Sequence, residues 1–293
     1  MSRPLPVALV QAPPRPAAAP VSGAAGFAGE VEAVLRQHPQ TRLAVFPELH
    51  LCGVDPAEDS EPQLQDAAQP LSGRRVTELA ELAGDLGIWL VPGSVCERGP
   101  GGELFNTAPV FSPEGKLVAS YRKIFPWRPR EPYAPGDRFV VVDLPGTGRI
   151  GLSICYDAWF PEVARHLAWM GAEVIVNPVL TSTADRAQEL VLARANAIVN
   201  QVFVVSVNTA GPVGTGRSLV VDPEGLVRTE APGDGTTVLT DVLDLDHVTR
   251  VRTYGTAGLS RMWDQFADTD APLELPLYDG RIDPRRWRSG PQT

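Results

Sequence analysis

Short runs of β-branched and other apolar residues recur along the chain, bounded by Gly, Pro, Asn or Asp: VALV at 7–10, LAVF at 43–46, IWLV at 88–91, FVVV at 139–142, IGLSI at 150–154, EVIVN at 173–177 and VFVVSVN at 202–208. Runs this short and this uniformly apolar suit strands in a sheet interior. Between several of them lie stretches with apolar residues at helical spacing, at 27–38, 74–87, 162–171 and 185–201, and Gly87 and Gly171 are placed to stop two of these. The pattern predicts an α/β fold with sheet inside and helices outside. Two hairpins, at 108–121 and 218–230, interrupt the alternation, and each turns on Pro-Glu-Gly. The same turn in both halves points to a pseudo-repeated layout.

Two segments carry no periodicity. Residues 11–26 are rich in Pro, Ala and Gly and are expected to form an exposed connection. From about Tyr254 the chain becomes a proline-rich tail, expected to wrap the surface or reach a second subunit. GTGRIG at 146–151 matches G-x-G-x-x-G, but its glycines follow Pro145 and lead into another strand rather than a helix. A dinucleotide site needs the helix start, so the stretch is read as a hairpin loop and no such cofactor is expected.

With 26 basic against 35 acidic residues and a net charge of −9, the chain's field repels phosphates and anionic lipid, so no nucleic-acid or membrane partner is expected. The N-terminal stretch has no apolar core of signal-peptide length, which leads to a cytoplasmic expectation. Cys52, Cys96 and Cys155 are too few, and odd in number, for a disulfide framework. His38, His50, His166 and His247 are scattered, apart from the pair His50/Cys52, so no metal site is expected.

Three polar residues fall at or just past the end of an apolar run: Glu48 after LAVFP, Lys123 after GKLVASYR and Cys155 after IGLSI. In helix-flanked sheets, ligands bind beyond strand ends, so a carboxylate, an ammonium and a thiol can converge there. Singly each has an ordinary reading, as a loop charge, an exposed edge residue and a small core hydrophobe. Together they make a nucleophilic site, in which Glu48 takes the thiol proton and later returns it to a leaving amine. Lys123 and the backbone N–H after Cys155 would then hold the oxyanion.

At these residues the chain resembles the nitrilase, or carbon–nitrogen hydrolase, superfamily. The matching pieces are VFPEL with Glu48, YRKIFPW with Lys123 and CYDAWFPE with Cys155, joined by Glu131 in REPYAPGD at the place of the family's second glutamate. The resemblance runs from about Val7 to about Arg252 and includes ARANAIVNQVFVVSVNTAG and the late hairpin SLVVDPEG. It implies a four-layer α-β-β-α sandwich over residues 1–253, followed by a surface or dimer-contacting tail at 254–293. It also implies a homodimer or higher homo-oligomer, a small amide substrate, and neither cofactor nor metal.

Within the resemblance, Cys155 is the nucleophile on a strand-to-helix elbow, Tyr156 supplies a backbone N–H, and Asp157 and Glu162 fix the elbow. Tyr-Asp after the cysteine, where true nitrilases have Trp-Glu, is similar to the amidase and carbamoylase branches. KIFPWRPRE looks like the corresponding stretch of aliphatic amidases, which would put Trp127 in the acyl pocket, with Trp159; both tryptophans also fit ordinary packing. The chain departs from those amidases in its length, its tail and CYDAWFPE. His50 and Cys52 are candidate pocket-wall residues. The expected activity is a cysteine-dependent amidase, with an N-carbamoyl hydrolase, a nitrilase and a non-catalytic scaffold as the alternatives.

Overall fold

Along the first strand, β1 (Pro4–Gln11), side chains alternate between two environments: Val7 and Leu9 enter one apolar cluster, Ala8 and Val10 another. That is the period of two of an extended chain with both faces covered. The computed structural model describes residues 2–55, 57, 59–275 and 280–281. The first half continues with α1 (Phe27–Gln37), β2 (Leu43–Val45), α2 (Ser60–Ala67), α3 (Arg74–Leu86), β3 (Trp89–Val91), β4 (Val95–Arg98), β5 (Leu104–Phe111) and β6 (Leu117–Arg122). The second half comprises β7 (Val141–Leu144), β8 (Gly148–Leu152), α4 (Pro161–Trp169), β9 (Val174–Val179), α5 (Arg186–Asn200), β10 (Phe203–Asn208), β11 (Leu219–Val221), β12 (Val227–Glu230), β13 (Thr237–Asp244) and α6 (Leu245–Tyr254).

The strands form a seven-stranded sheet, β13-β1-β2-β3-β5-β4 with β6 beside β5, and a six-stranded sheet, β12-β11-β10-β9-β8-β7. Val7, Leu9, Leu43 and Val45 from the first meet Val174, Val176, Phe203 and Val205 from the second in the central core. On the outer face of the first sheet, Phe27, Val31 and Val34 of α1 and Leu79, Leu82 and Ala83 of α3 pack against Ala8, Ala44 and Leu90. On the outer face of the second, Val163 and Leu167 of α4 and Ala193 and Ala197 of α5 cover Ile175, Val204 and Val221. The result is the expected α-β-β-α sandwich, since each sheet has two apolar faces and each helix one apolar stripe.

Gly87 ends α3 in the left-handed conformation at φ 64°, which spares the Cβ penalty of other residues. Of GTGRIG, only Gly146 and Thr147 lie in the turn of the β7–β8 hairpin, and the remaining four residues already belong to β8. Past Gln11, which ends β1, residues 12–26 have no regular structure apart from one bridge at Pro16, but the segment is not a loose exposed connection. Gln11, Ala12 and Val21 are buried, and the carbonyls of Pro20 and Val21 accept from Phe27 and Ala28 at the start of α1. After α6 the described tail is mostly exposed, though the guanidiniums of Arg165 and Arg252 lie 5.0 and 5.6 Å from the Trp263 ring. The rest of the expected 254–293 tail, residues 276–279 and 282–293, lies outside the described residues. Among the described residues, no helix is long and apolar enough to cross a membrane.

Candidate active site

Glu48 follows β2 and is 1% exposed. Its Oε1 accepts from Asn106 Nδ2 at 2.8 Å and Lys123 Nζ at 2.9 Å, and its Oε2 accepts from the Leu180 backbone N–H at 2.8 Å. The turn that aims it depends on Gly93 at φ 87°, where an added Cβ would stand 1.7 Å from the Pro47 carbonyl oxygen. Lys123, at the end of β6, is fully buried. Its backbone N–H donates to Asn106 O at 2.9 Å, so one asparagine orders both charged partners. The Lys123 ammonium also donates to both oxygens of Glu131, at 2.7 and 2.9 Å. Glu131 is itself held by the Trp127 backbone N–H at 3.0 Å.

Cys155 lies just past β8 at φ 46°, a left-handed conformation that is strained for a side chain with a Cβ. The strain is held by Asp157, which is fully buried and accepts from Tyr121 Oη at 2.7 Å and from the backbone N–H groups of Ile154 and Phe125, both at 2.9 Å. The expected elbow role of Asp157 therefore has a structural basis. On the other side, Cys155 Sγ lies 3.8 Å from Thr181 Oγ1, in the loop after β9.

Electrostatics couple these groups. Burial raises the proton affinity of Glu48; Lys123 opposes the shift, Glu131 adds to it, and a hydrogen bond from the Cys155 thiol tempers it. Burial alone disfavours the Lys123 charge, but Glu48, Cys155 and Glu131 outweigh it and hold the ammonium above its ordinary value. Burial and then Glu48 push the Cys155 thiol well above its ordinary value, with Lys123 opposing. Burial and the neighbouring carboxylates thus favour the thiol over the thiolate.

Glu48, Lys123, Glu131 and Cys155 are therefore brought together. Tyr156 and Trp159 occupy the same short 3-10 turn as the cysteine, with ring centroids 6.0 Å apart, and the buried Trp159 Nε1 has no hydrogen-bond partner among the described residues. Trp127 is 40% exposed, with its backbone rather than its indole engaged on Glu131. His50 and Cys52 turn away from this cluster. His50 Nε2 contacts Glu30 at 3.2 Å among the rings of Phe27 and Phe46, and Cys52 Sγ accepts from the Cys96 N–H at 3.2 Å. His50 enters the layer between the first sheet and α1, whereas Cys52 enters a separate cluster with Leu64, Val95 and Cys96. Sequence reasoning missed Asn106, Thr181 and Glu189. The signal for Asn106 was available as a polar side chain inside LFNTAPVF, a strand buried at every position.

Fold and cluster together define the class: a four-layer sandwich of the nitrilase superfamily carrying a thiol elbow beside two carboxylates and an ammonium. The carbon-nitrogen hydrolase model matches residues 6–253, and the chain belongs to that family. It is 34% identical over 203 residues to omega-amidase NIT2 of Mus musculus, covering 64% of this chain and 72% of that protein. It is 35% identical over 176 residues to a formamidase of Bacillus thuringiensis, covering 59% of this chain and 52%, about half, of the relative. Nit3 of Saccharomyces cerevisiae, a nitrilase superfamily member, is structurally similar with a TM-score of 0.76 at 29% identity, covering 89% of this chain and 97% of that one.

Proposed function

We propose that this protein is an amidase that hydrolyses a small carboxamide to a carboxylic acid and ammonia through a thioester on Cys155. The observation that carries the reading is the buried Glu48–Lys123–Glu131 cluster beside the thiol, with Lys123 Nζ 2.9 Å from Glu48 and 2.7 Å from Glu131. Cys155 Sγ attacks the carbonyl carbon as its proton passes to Glu48, whose raised proton affinity suits it to be a base and then an acid. The carbonyl π electrons move to oxygen, and the oxyanion is held by Lys123 and the Tyr156 N–H. An ammonium has three donors, so one is available to the oxyanion when Glu131 takes one. Glu48 returns the proton to nitrogen as the C–N bond breaks. Water then gives a proton to Glu48 and attacks the thioester, the C–S bond breaks, and sulfur recovers its proton.

Glu131 keeps the ammonium aimed, and Trp127 and Trp159 wall the acyl pocket. The names of two relatives, omega-amidase and formamidase, support amides over nitriles as the substrate class. The test is ammonia release from a short aliphatic carboxamide, an N-carbamoyl amino acid and a nitrile. Turnover of the carboxamide and its loss in Cys155→Ala, with an unchanged melting curve, support the reading. A fully active Cys155→Ala protein overturns the mechanism, and turnover confined to the nitrile or the carbamoyl compound reassigns the substrate.

A further inference from the structure

Behind the sulfur lies a second buried ionic group that the mechanism above does not use. Thr181 Oγ1 is 2.8 and 2.9 Å from the two carboxylate oxygens of Glu189, which are acceptors only, so the threonine proton is committed to Glu189. Glu189 Oε2 in turn accepts from Arg186 Nη1 at 2.9 Å. Arg186 is anchored by the Gly216 and Arg217 carbonyls at 3.1 and 2.8 Å, and Arg186, Glu189 and Thr181 are all buried. Thr181 therefore offers the sulfur 3.8 Å away a lone pair and no hydrogen.

We infer that Thr181, oriented by Glu189 and Arg186, is a positioning residue that withholds a hydrogen-bond donor from Cys155 and so keeps the nucleophile a thiol until substrate arrives. The inference rests on the assignment of Cys155 as nucleophile. The sulfur is flanked by acceptors on both sides, Glu48 and Thr181, and an acceptor stabilises S–H but not S⁻. Other charges facing it are Lys123 at the end of β6, Glu131 in the following loop, and Glu189 and Arg186 on α5. Lys123 favours the thiolate, while Glu48, Glu189 and Glu131 disfavour it, in the same direction as the burial that leads them. The same loop fixes the base, because the neighbouring Leu180 N–H holds Glu48 Oε2 at 2.8 Å. Thiol and base are thus set by adjacent residues.

The test is the pH dependence of Cys155 alkylation by iodoacetamide in the full-length protein, with the modified cysteine identified by peptide mass spectrometry. In Glu189→Gln, Arg186 claims the side-chain oxygen, the new NH₂ donates to Thr181, and the threonine hydroxyl turns toward sulfur. The alkylation midpoint is expected to fall by about one pH unit, the size of a single gained hydrogen bond and lost charge. Thr181→Val removes the flanking acceptor and is expected to lower the midpoint by about half a unit, whereas Thr181→Ser retains the wild-type profile. Profiles that superimpose on wild type in both Glu189→Gln and Thr181→Val, or that shift upward, overturn the inference. Should Glu189→Gln fail to fold with Arg186 unpaired, the Val and Ser variants decide on their own. Alkylation needs no substrate, so absent ammonia release would sink the amidase reading and leave this test standing.

Discussion

Replacing Lys123 with Met removes the charge that stands between the buried Glu48 carboxylate and the partly buried Glu131 carboxylate. The methionine fills much the same volume, so the cost is electrostatic: Glu48, 1% exposed, loses its ammonium and faces Glu131 across the gap. Breaking a buried pair by removing one partner costs about 3–5 kcal/mol. At about 2 °C per kcal/mol for a domain of this size, the melting temperature is expected to drop by about 6–10 °C near neutral pH. The pH dependence identifies the cause. Lys123 has a raised folded-state pKa, so its own contribution is fully present below its unfolded value of about 10.4 and is constant across the acidic and neutral range. Only the carboxylates titrate there. In the variant the folded-state pKa of Glu48 rises further, so its carboxyl is protonated more readily in the folded state than in the unfolded one. The deficit should be largest near pH 8 and shrink as pH falls toward the ordinary glutamate value of about 4.3. Differential scanning fluorimetry across this range measures it, and Glu48→Gln combined with Lys123→Met should recover most of the loss at neutral pH. A deficit that is independent of pH, or that grows on acidification, would refute the electrostatic account and point to packing.

Glu131→Gln removes a charge that raises the Glu48 carboxyl, so the acid limb of kcat/KM is expected to move to lower pH while the rate at its plateau falls; a limb that stays in place detaches the two glutamates. Gly93→Ala drives a Cβ into the Pro47 carbonyl next to Glu48, and a loss of activity of about tenfold or more is expected, alongside a lower melting temperature. Tyr121→Phe deprives the buried Asp157 of its 2.7 Å hydrogen bond and should cost about 1–3 kcal/mol in urea unfolding without changing the m-value.

Much of this was legible in the sequence because local rules dominated locally. VALV, LAVF and VFVVSVN became strands since their residues alternate between two apolar environments, and RRVTELAELAGDL became a helix with Gly87 as its stop. Elements with few apolar residues escaped: α2 buries only Leu64 and Ala67, and β13 reads TVLTDVLD, with just two residues buried. Glu48, Lys123 and Cys155 stood out because each terminates an apolar run. The rest of the site did not, since its partners are assembled by tertiary structure. The Leu180 N–H that holds Glu48 lies 132 residues away, and no spacing rule connects Thr181 with Cys155. The raised proton affinity of the Cys155 thiol was likewise invisible, because it depends on burial and on four carboxylate and ammonium groups from separate elements.

The pairing of β1 with β13, from Pro4 opposite Asp244 to Gln11 opposite Thr237, has a consequence for biosynthesis. β1 leaves the ribosome long before β13 is made, so one edge of that strand has no neighbour until β13 has been translated. Stalled or prematurely terminated products therefore keep an apolar edge able to recruit strands from other molecules, and such fragments are expected to aggregate where the finished protein stays dispersed. Sheet closure in this protein is in effect a check that translation has run to the end of β13.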